Sequence, residues 1–308
     1  MKTFSFSQAT VGFELSCRAR HLSPNTIEDY TRTLRKFSVY LKDDLPVDQI
    51  NSQHIEGFLA NQKVSKKSLL NYFIGMSALW TWCLRENLVE KNVVKVLTPP
   101  KPEKRKVDPY AEEQVRALLA ALGRSKVYTR AGGKSLDHEL GHEDRNRAII
   151  MVLLDTGLRA TELCDLLMED LDVKAGRLRV KHGKGDKERY VPFSPRTGQT
   201  LWKYLARRKD TRPDDPVFIT RNDRPLTRTE LAHTLAIVGT RAKVTDVHPH
   251  RFRLTFAINF LRNGGDAYSL QEILGHSTME MVKLYLKLAE SDIAASHRRA
   301  SPVDHWRL

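Results

Sequence analysis

The chain has 308 residues, with 51 Lys plus Arg against 37 Asp plus Glu, a formal net charge of +14 and a pI near 9.7. That length exceeds one ordinary core and suits two domains that need no staples, while the charge points to a polyanionic partner, nucleic acid above all. Cys17, Cys83 and Cys164 are odd in number and widely spaced, which excludes a disulfide framework or zinc ribbon; with no secretory leader and no apolar run of membrane-spanning length, a cytoplasmic protein without a membrane partner is expected.

Residues 1–97 read as a helical domain. Ser23-Pro24 pairs a capping serine with a first-turn proline, after which Ile27, Tyr30, Leu34, Phe37 and Leu41 recur at helical spacing, with Arg32, Arg35 and Lys36 on the same helix. A second amphipathic helix is expected from Ser65-Lys66-Lys67-Ser68, carrying Leu69, Phe73, Met76, Leu79 and Trp80; both stripes are read as core. Composition changes at Thr98-Pro99-Pro100-Lys101-Pro102-Glu103-Lys104-Arg105-Lys106, where prolines and cations leave nothing to pack. Residues 98–107 are therefore an expected linker, extended, semi-rigid and basic enough to lie along a phosphate backbone. Two domains joined by such a strap could close around duplex DNA.

Residues 108–308 read as a second domain, mostly helical. Asp108-Pro109 is expected to cap a helix bearing Val115, Leu118, Leu119 and Leu122, and a polar excursion from Gly123 to Glu143 follows. Asp144 is expected to cap an apolar helix stopped at Thr156-Gly157, with the next helix starting near Arg159. One region reads as sheet: Leu178-Arg179-Val180 and Arg189-Tyr190-Val191 flank Gly183-Lys184-Gly185-Asp186 as a β-hairpin. Helices resume from Leu226. The fold class expected is mainly α, with a small antiparallel sheet in the second domain.

The chemistry centres on Tyr285, nine residues after His276 in Leu274-Gly275-His276-Ser277. A phenol can attack a phosphodiester, but its ordinary pKa of roughly 10 makes it a poor nucleophile without activation. Arg159 stands where a helix begins, so guanidinium and helix N-terminus could address one anion, with Glu162 a turn later to orient the side chain. Lys184 projects from the hairpin tip, where it could reach into a groove; its Gly-Lys-Gly setting lacks the spacing of a P-loop. In His248-Pro249-His250-Arg251-Phe252-Arg253, His250 with Arg253 and His248 with Arg251 are equally spaced, and the residues alone do not choose between them. Phe252, Phe256 and Phe260 mark the buried side and put Arg253 at the border of the core. Ser277-Thr278-Met279-Glu280 reads as a capping box for a helix through Tyr285. Nine residues of straight helix rise about 13 Å, so His276 and Tyr285 can meet only if the chain bends between them.

In this order, Thr156-Gly157-Leu158-Arg159-x-x-Glu162, the Gly183-Lys184-Gly185-x-Lys187-Glu188-Arg189 hairpin, His250-x-x-Arg253, Leu274-Gly275-His276-Ser277 and Tyr285 resemble the tyrosine recombinase and integrase family, in its bacterial Xer and integrase-like branch. The motifs run from about Asp144 to Tyr285, and residues 1–97 resemble the family's helical, SAM-like core-binding domain. The resemblance selects His250 with Arg253; Leu254 departs from the family's usual His, beside the catalytic arginine and not on it.

It implies a site-specific recombinase that cleaves and rejoins DNA through a 3′-phosphotyrosine and a Holliday junction, with no metal, ATP or other cofactor. Tyr285 would be the nucleophile, Arg159, Arg253 and His276 the clamp on the phosphorus, Lys184 the acid, His250 the base and Glu162 a support. Lys66, Lys67, Arg32, Arg35, Lys104, Arg105, Lys187 and Arg251 are expected at DNA. A tetramer on two sites, monomeric when free, and docking of the tail 286–308 on a neighbouring protomer are implied.

The rivals are a DNA-binding accessory factor without chemistry, a type IB topoisomerase-like enzyme, and a zinc protease, because His138-Glu139-Leu140-Gly141-His142 matches H-E-x-x-H, with Glu162 as a third ligand. Two histidines at that spacing share a metal only on a stable helix, and Gly132-Gly133, Gly141 and the restart at Asp144 argue against one.

Overall fold

The computed structural model describes residues 4–103, 108–123, 128–129, 135–136, 142–181, 188–208, 210–289, 297 and 301–306. Two compact units divide the chain, Met1–Lys106 and Val107–Leu308. No described helix is long and apolar enough to cross a membrane.

The first unit contains α1 (Phe6–Ala19), α2 (Pro24–Leu41), α3 (Ser52–Ala60) and α4 (Lys66–Arg85). Their starts follow local chemistry. Ser23 Oγ accepts from Thr26 N at 3.2 Å with Pro24 in the first turn, and Ser65 Oγ accepts from Ser68 N at 3.2 Å, both as expected from sequence. Leu34, Phe37, Phe73, Met76, Leu79 and Trp80 are buried, and Ile27, Tyr30, Leu41 and Leu69 pack against them. The core is aromatic: Phe37 meets Phe6, Phe58 and Trp80 edge-on, with centroids 5.4, 5.2 and 6.1 Å away. Such T-shaped pairs set an aromatic edge against a π-face and add about 0.5–1.5 kcal/mol each beyond area burial.

In the second unit, α5 (Glu112–Ala120), α6 (Glu143–Thr156), α7 (Ala160–Cys164), α8 (Pro195–Leu205), α9 (Arg228–Ala242), α10 (Pro249–Arg262), α11 (Ala267–Leu274), α12 (Glu280–Ala289) and a short α13 (Pro302–Trp306) surround two small antiparallel sheets. Helix α6 is central. It packs on α8 and α10 and buries Ala148, Ile149, Ile150, Val152 and Leu153, a nearly all-round apolar surface that only an interior helix can hold. A satellite core joins Leu254, Ala257, Ile258, Leu270, Leu274, Val282, Tyr285 and Ala289 across α10, α11 and α12.

The expected hairpin strands are β4 (Arg177–Val180) and β5 (Arg189–Pro192), with Leu178 opposite Val191 and Val180 opposite Arg189. Three strands were not anticipated. β3 (Leu171–Asp172) adds a third strand on β4, and within the excursion β1 (Tyr128–Thr129) pairs with β2 (Ser135–Leu136).

Three starts differ from expectation. Helix α5 begins after Ala111, not Asp108; the Asp108 carbonyl instead accepts from Arg251 Nε at 2.9 Å. His142, not Asp144, holds the N-cap position of α6, while Asp144 lies buried in the first turn against Arg207 Nη2 at 2.7 Å and Lys203 Nζ at 3.3 Å. Helix α12 starts at Glu280 itself, not just after Ser277.

Candidate active site

Two chain turns and one helix build the site. Helix α6 ends on Gly157 in the left-handed region, φ 62°, where a Cβ would come within 2.6 Å of Phe256 and 2.8 Å of Leu274. Two residues on, Arg159 holds the N-cap position of α7. Helix α11 ends on Gly275, also left-handed, which turns the chain into His276; Gln271 Nε2 donates to the His276 carbonyl at 3.0 Å and braces that turn. Helix α10 supplies His250 and Arg253.

Arg253 is the buried pivot. Its Nη1 donates to Gly157 O at 2.7 Å, and its Nη2 donates to Leu274 O and meets His276 Nε2, both at 2.7 Å. One guanidinium thus ties together the ends of α6 and α11. Burial, then the charge of Arg159, lowers its pKa to about 10, which still leaves it cationic at neutral pH. Because arginine only donates, His276 Nε2 accepts and the imidazole proton lies on Nδ1. That Nδ1 is buried with no partner among the described residues. Burial and the charges of Arg253, Arg159 and Arg189 push the His276 pKa down to about 4, so the ring is a neutral N–H donor at neutral pH.

Arg159 is more open, with a side chain 33% exposed. Glu162 Oε1 takes its Nη1 at 2.7 Å and Oε2 its backbone N–H at 2.8 Å, while Nη2 reaches Gly275 O at 3.3 Å. Glu162 thus holds both the Arg159 guanidinium and the N-cap N–H of α7, the orienting role expected of it. Burial pushes the Glu162 carboxyl up, but hydrogen bonds and charge from Arg189, with the Arg159 bonds, hold it below the usual range as a fixed anion.

The bend required between His276 and Tyr285 is present: α11 stops at Leu274, α12 starts at Glu280, and the two rings stack at 5.9 Å with planes 23° apart. Tyr285 is 2% exposed, docked in the satellite core beside Leu254, so the residue that departs from the family pattern packs against the tyrosine segment and stays out of the cation cluster. His250 keeps an exposed edge and stacks on His248 at 6.5 Å; desolvation of its packed side, then the charges of His248 and Arg253, lowers its pKa.

Arg251 is corrected. Expected at DNA, it is buried, donates Nη1 to Thr245 O at 2.8 Å and Nη2 to Gln114 Oε1 at 3.2 Å, and lies over the Tyr110 ring at 4.1 Å. Its charge serves the junction of α5 and α10. Arg32, Arg35, Lys66 and Lys67 are exposed in the first unit; Arg32 pairs with Asp29, and Lys66 with Glu103 at 2.9 Å. Exposed pairs of this kind are worth little and release readily to a phosphate. Lys184, Lys187, Lys104 and Arg105 lie outside the described residues.

Arg189 was not singled out from sequence. Its Nε donates to Ile273 O at 2.8 Å and its Nη2 to Glu162 Oε2 at 2.9 Å. The signal was there: Arg189 stands two residues before inward-facing Val191, so the period of two puts a cation on the buried face of the sheet.

The protease rival loses its third ligand, because Glu162 is committed to two arginines. His142 has φ −134°, outside helical geometry, and His138 and Glu139 lie outside the described residues. Among the described residues, no group of three His, Cys, Asp or Glu could hold a metal ion.

The chain as a whole is similar to known proteins. The phage integrase family aligns with residues 111–292, and the phage integrase N-terminal SAM-like domain with residues 12–90. The chain belongs to the phage integrase family, the tyrosine recombinases. It is 29% identical over 306 residues to tyrosine recombinase XerC of Bacillus pumilus, covering 92% of each. It is 30% identical over 295 residues to tyrosine recombinase XerD of Staphylococcus epidermidis, covering 91% of this chain and 94% of that protein. The fold is similar to that of the Tn1549 transposon integrase in complex with a circular intermediate DNA, with a TM-score of 0.74 at 20% identity over 97% of this chain and 100% of that one. XerH bound to palindromic difH has a TM-score of 0.66 at 21% identity over 98% of this chain and 86% of that one.

Proposed function

We propose that this protein is a site-specific DNA recombinase in which Tyr285 is the nucleophile. The observation that carries this reading is the stacking of Tyr285 on His276 at 5.9 Å, with His276 bonded to Arg253 at 2.7 Å. The Tyr285 oxygen attacks the scissile phosphorus, the new tyrosyl–phosphate bond replaces the bond to the 5′ oxygen, and the 5′-hydroxyl leaves. The tyrosine proton passes to His250 and Lys184 protonates the departing oxygen, each step contributing typically about 10² to 10⁴-fold. Arg159, Arg253 and His276 stabilise the charge that develops on the phosphorane oxygens. The linkage keeps its phosphoester energy, so a 5′-hydroxyl from a partner strand reverses the attack and exchanges strands through a Holliday junction. We infer that exchange takes place in a tetramer on two duplex sites, with 98–107 as a basic linker and 286–308 as the segment passed between protomers; Trp306, 71% exposed on α13, suits such a contact.

A nicked suicide duplex carrying the target site tests this. Wild type should form a covalent adduct stable on a denaturing gel, while Tyr285→Phe should form none and bind DNA unchanged; an adduct from the Phe variant would sink the assignment. Affinity for the site should fall steeply with salt, as phosphate neutralisation requires.

A further inference from the structure

We propose that Arg189, which touches neither nucleophile nor phosphate, is a positioning residue that sets the geometry of the Arg159 and His276 clamp; this rests on the recombinase reading above. Its side chain is only 10% exposed and lies on the inner face of β5, opposite Val180. A lone cation in that place is costly to desolvate unless it is paired and hydrogen-bonded. Glu162, itself 3% exposed in its side chain, supplies the pairing at 2.9 Å.

The partners of Arg189 are the groups on which the clamp hangs. Glu162 Oε2 accepts from Arg189 Nη2 at 2.9 Å and from the Arg159 backbone at 2.8 Å, while Oε1 holds the Arg159 guanidinium at 2.7 Å. Arg189 Nε fixes Ile273 O at 2.8 Å, next in sequence to Leu274, whose carbonyl accepts from Arg253 at 2.7 Å. The guanidinium also lies against Gly275: a Cβ there would stand 2.8 Å from Nη1, which is buried. The plate of the guanidinium thus presses on the turn that delivers His276. Arg189 therefore fixes Arg159 through Glu162, and His276 through the 273–275 turn.

Arg189→Met should lower the single-turnover rate of adduct formation about 10²-fold at saturating DNA, the loss expected of a clamp displaced by about an ångström. DNA affinity should stay within twofold of wild type. Arg189→Lys, which can reach Glu162 or Ile273 O but not both, should recover part of the rate. A methylphosphonate at the scissile position separates positioning from general loss of structure, because it removes the charge the clamp must hold. On that substrate the deficit of Arg189→Met should shrink at least tenfold, and in an Arg159→Ala background Arg189→Met should add little. An equal deficit on both substrates, or full additivity with Arg159→Ala, overturns the proposal, as does wild-type rate in Arg189→Met. If Arg189→Met shows no cooperative melt, Arg189→Lys is read in the same two assays against the same outcomes. Failure of wild type itself to form an adduct would count against the recombinase reading and not against this one.

Discussion

Both units bury an apolar core, and they differ in the charge buried with it. In the first, the described core is aromatic and aliphatic, with Thr33 and Asn92 its buried polar side chains; in the second, Asp144, Arg145, Glu162, Asp170, Arg251 and Arg253 are buried as well. An apolar interior needs no partner for each atom and tolerates exchange of one hydrophobe for another. A charged interior needs every group answered, so its geometry is specified to the ångström at a cost in stability. The second unit thus carries its cations at fixed places before any substrate arrives, which is what electrostatic stabilisation of a transition state requires.

That contrast can be broken from either side. Trp80→Ala, in the first unit, should lower stability by about 3–5 kcal/mol by opening a cavity in the aromatic core, measured as the earliest transition in a urea melt. Its adduct-forming rate from the bound complex should stay near wild type, and a large drop there would show that the units do not divide labour in this way. Arg253→Ala should do the reverse. Adduct formation should fall on the order of 10²–10³, about 2.7–4 kcal/mol in the barrier; a rate near wild type would remove Arg253 from the clamp.

Arg251→Gln sharpens the distinction within a single helix. Loss of the charged bonds from buried Arg251 to the Asp108 and Thr245 carbonyls should cost about 1.5–3 kcal/mol of stability, yet the salt dependence of DNA binding should keep its slope. A slope reduced by about one would return Arg251 to the DNA-contact set.

The smallest effect expected is on pH. The His276 pKa of about 4 lies below the usual 6.5. The folded state therefore binds fewer protons than the unfolded one; the stabilisation is complete above about pH 6.5 and is lost as pH falls toward 4. Lowered values at His142, His248 and His250 act in the same direction. The test is the difference between wild type and His276→Gln, whose melting temperature should fall less steeply over that window. Parallel curves would refute a buried neutral imidazole.

What was legible in the sequence is what local chemistry decides. Ser23, Ser65 and Gly157 announce helix ends because caps satisfy backbone groups within a few residues, and apolar spacing marks faces such as Phe73, Met76 and Trp80. The interval from His276 to Tyr285 is local too: helix rise alone required the bend later found at 275–279. Tertiary structure decided which cation faces what. Arg251 and Arg253 are two residues apart on one helix, with identical side chains, and only the carbonyls of Asp108 and Thr245 on one side and of Gly157 and Leu274 on the other tell them apart. Arg189, Glu162 and Ile273 are likewise distant in sequence and meet only when β5, α7 and α11 pack together. Caps and periodicity act through neighbours a turn away, whereas a buried charge is defined by the partners that desolvation forces on it, and those come from anywhere in the chain.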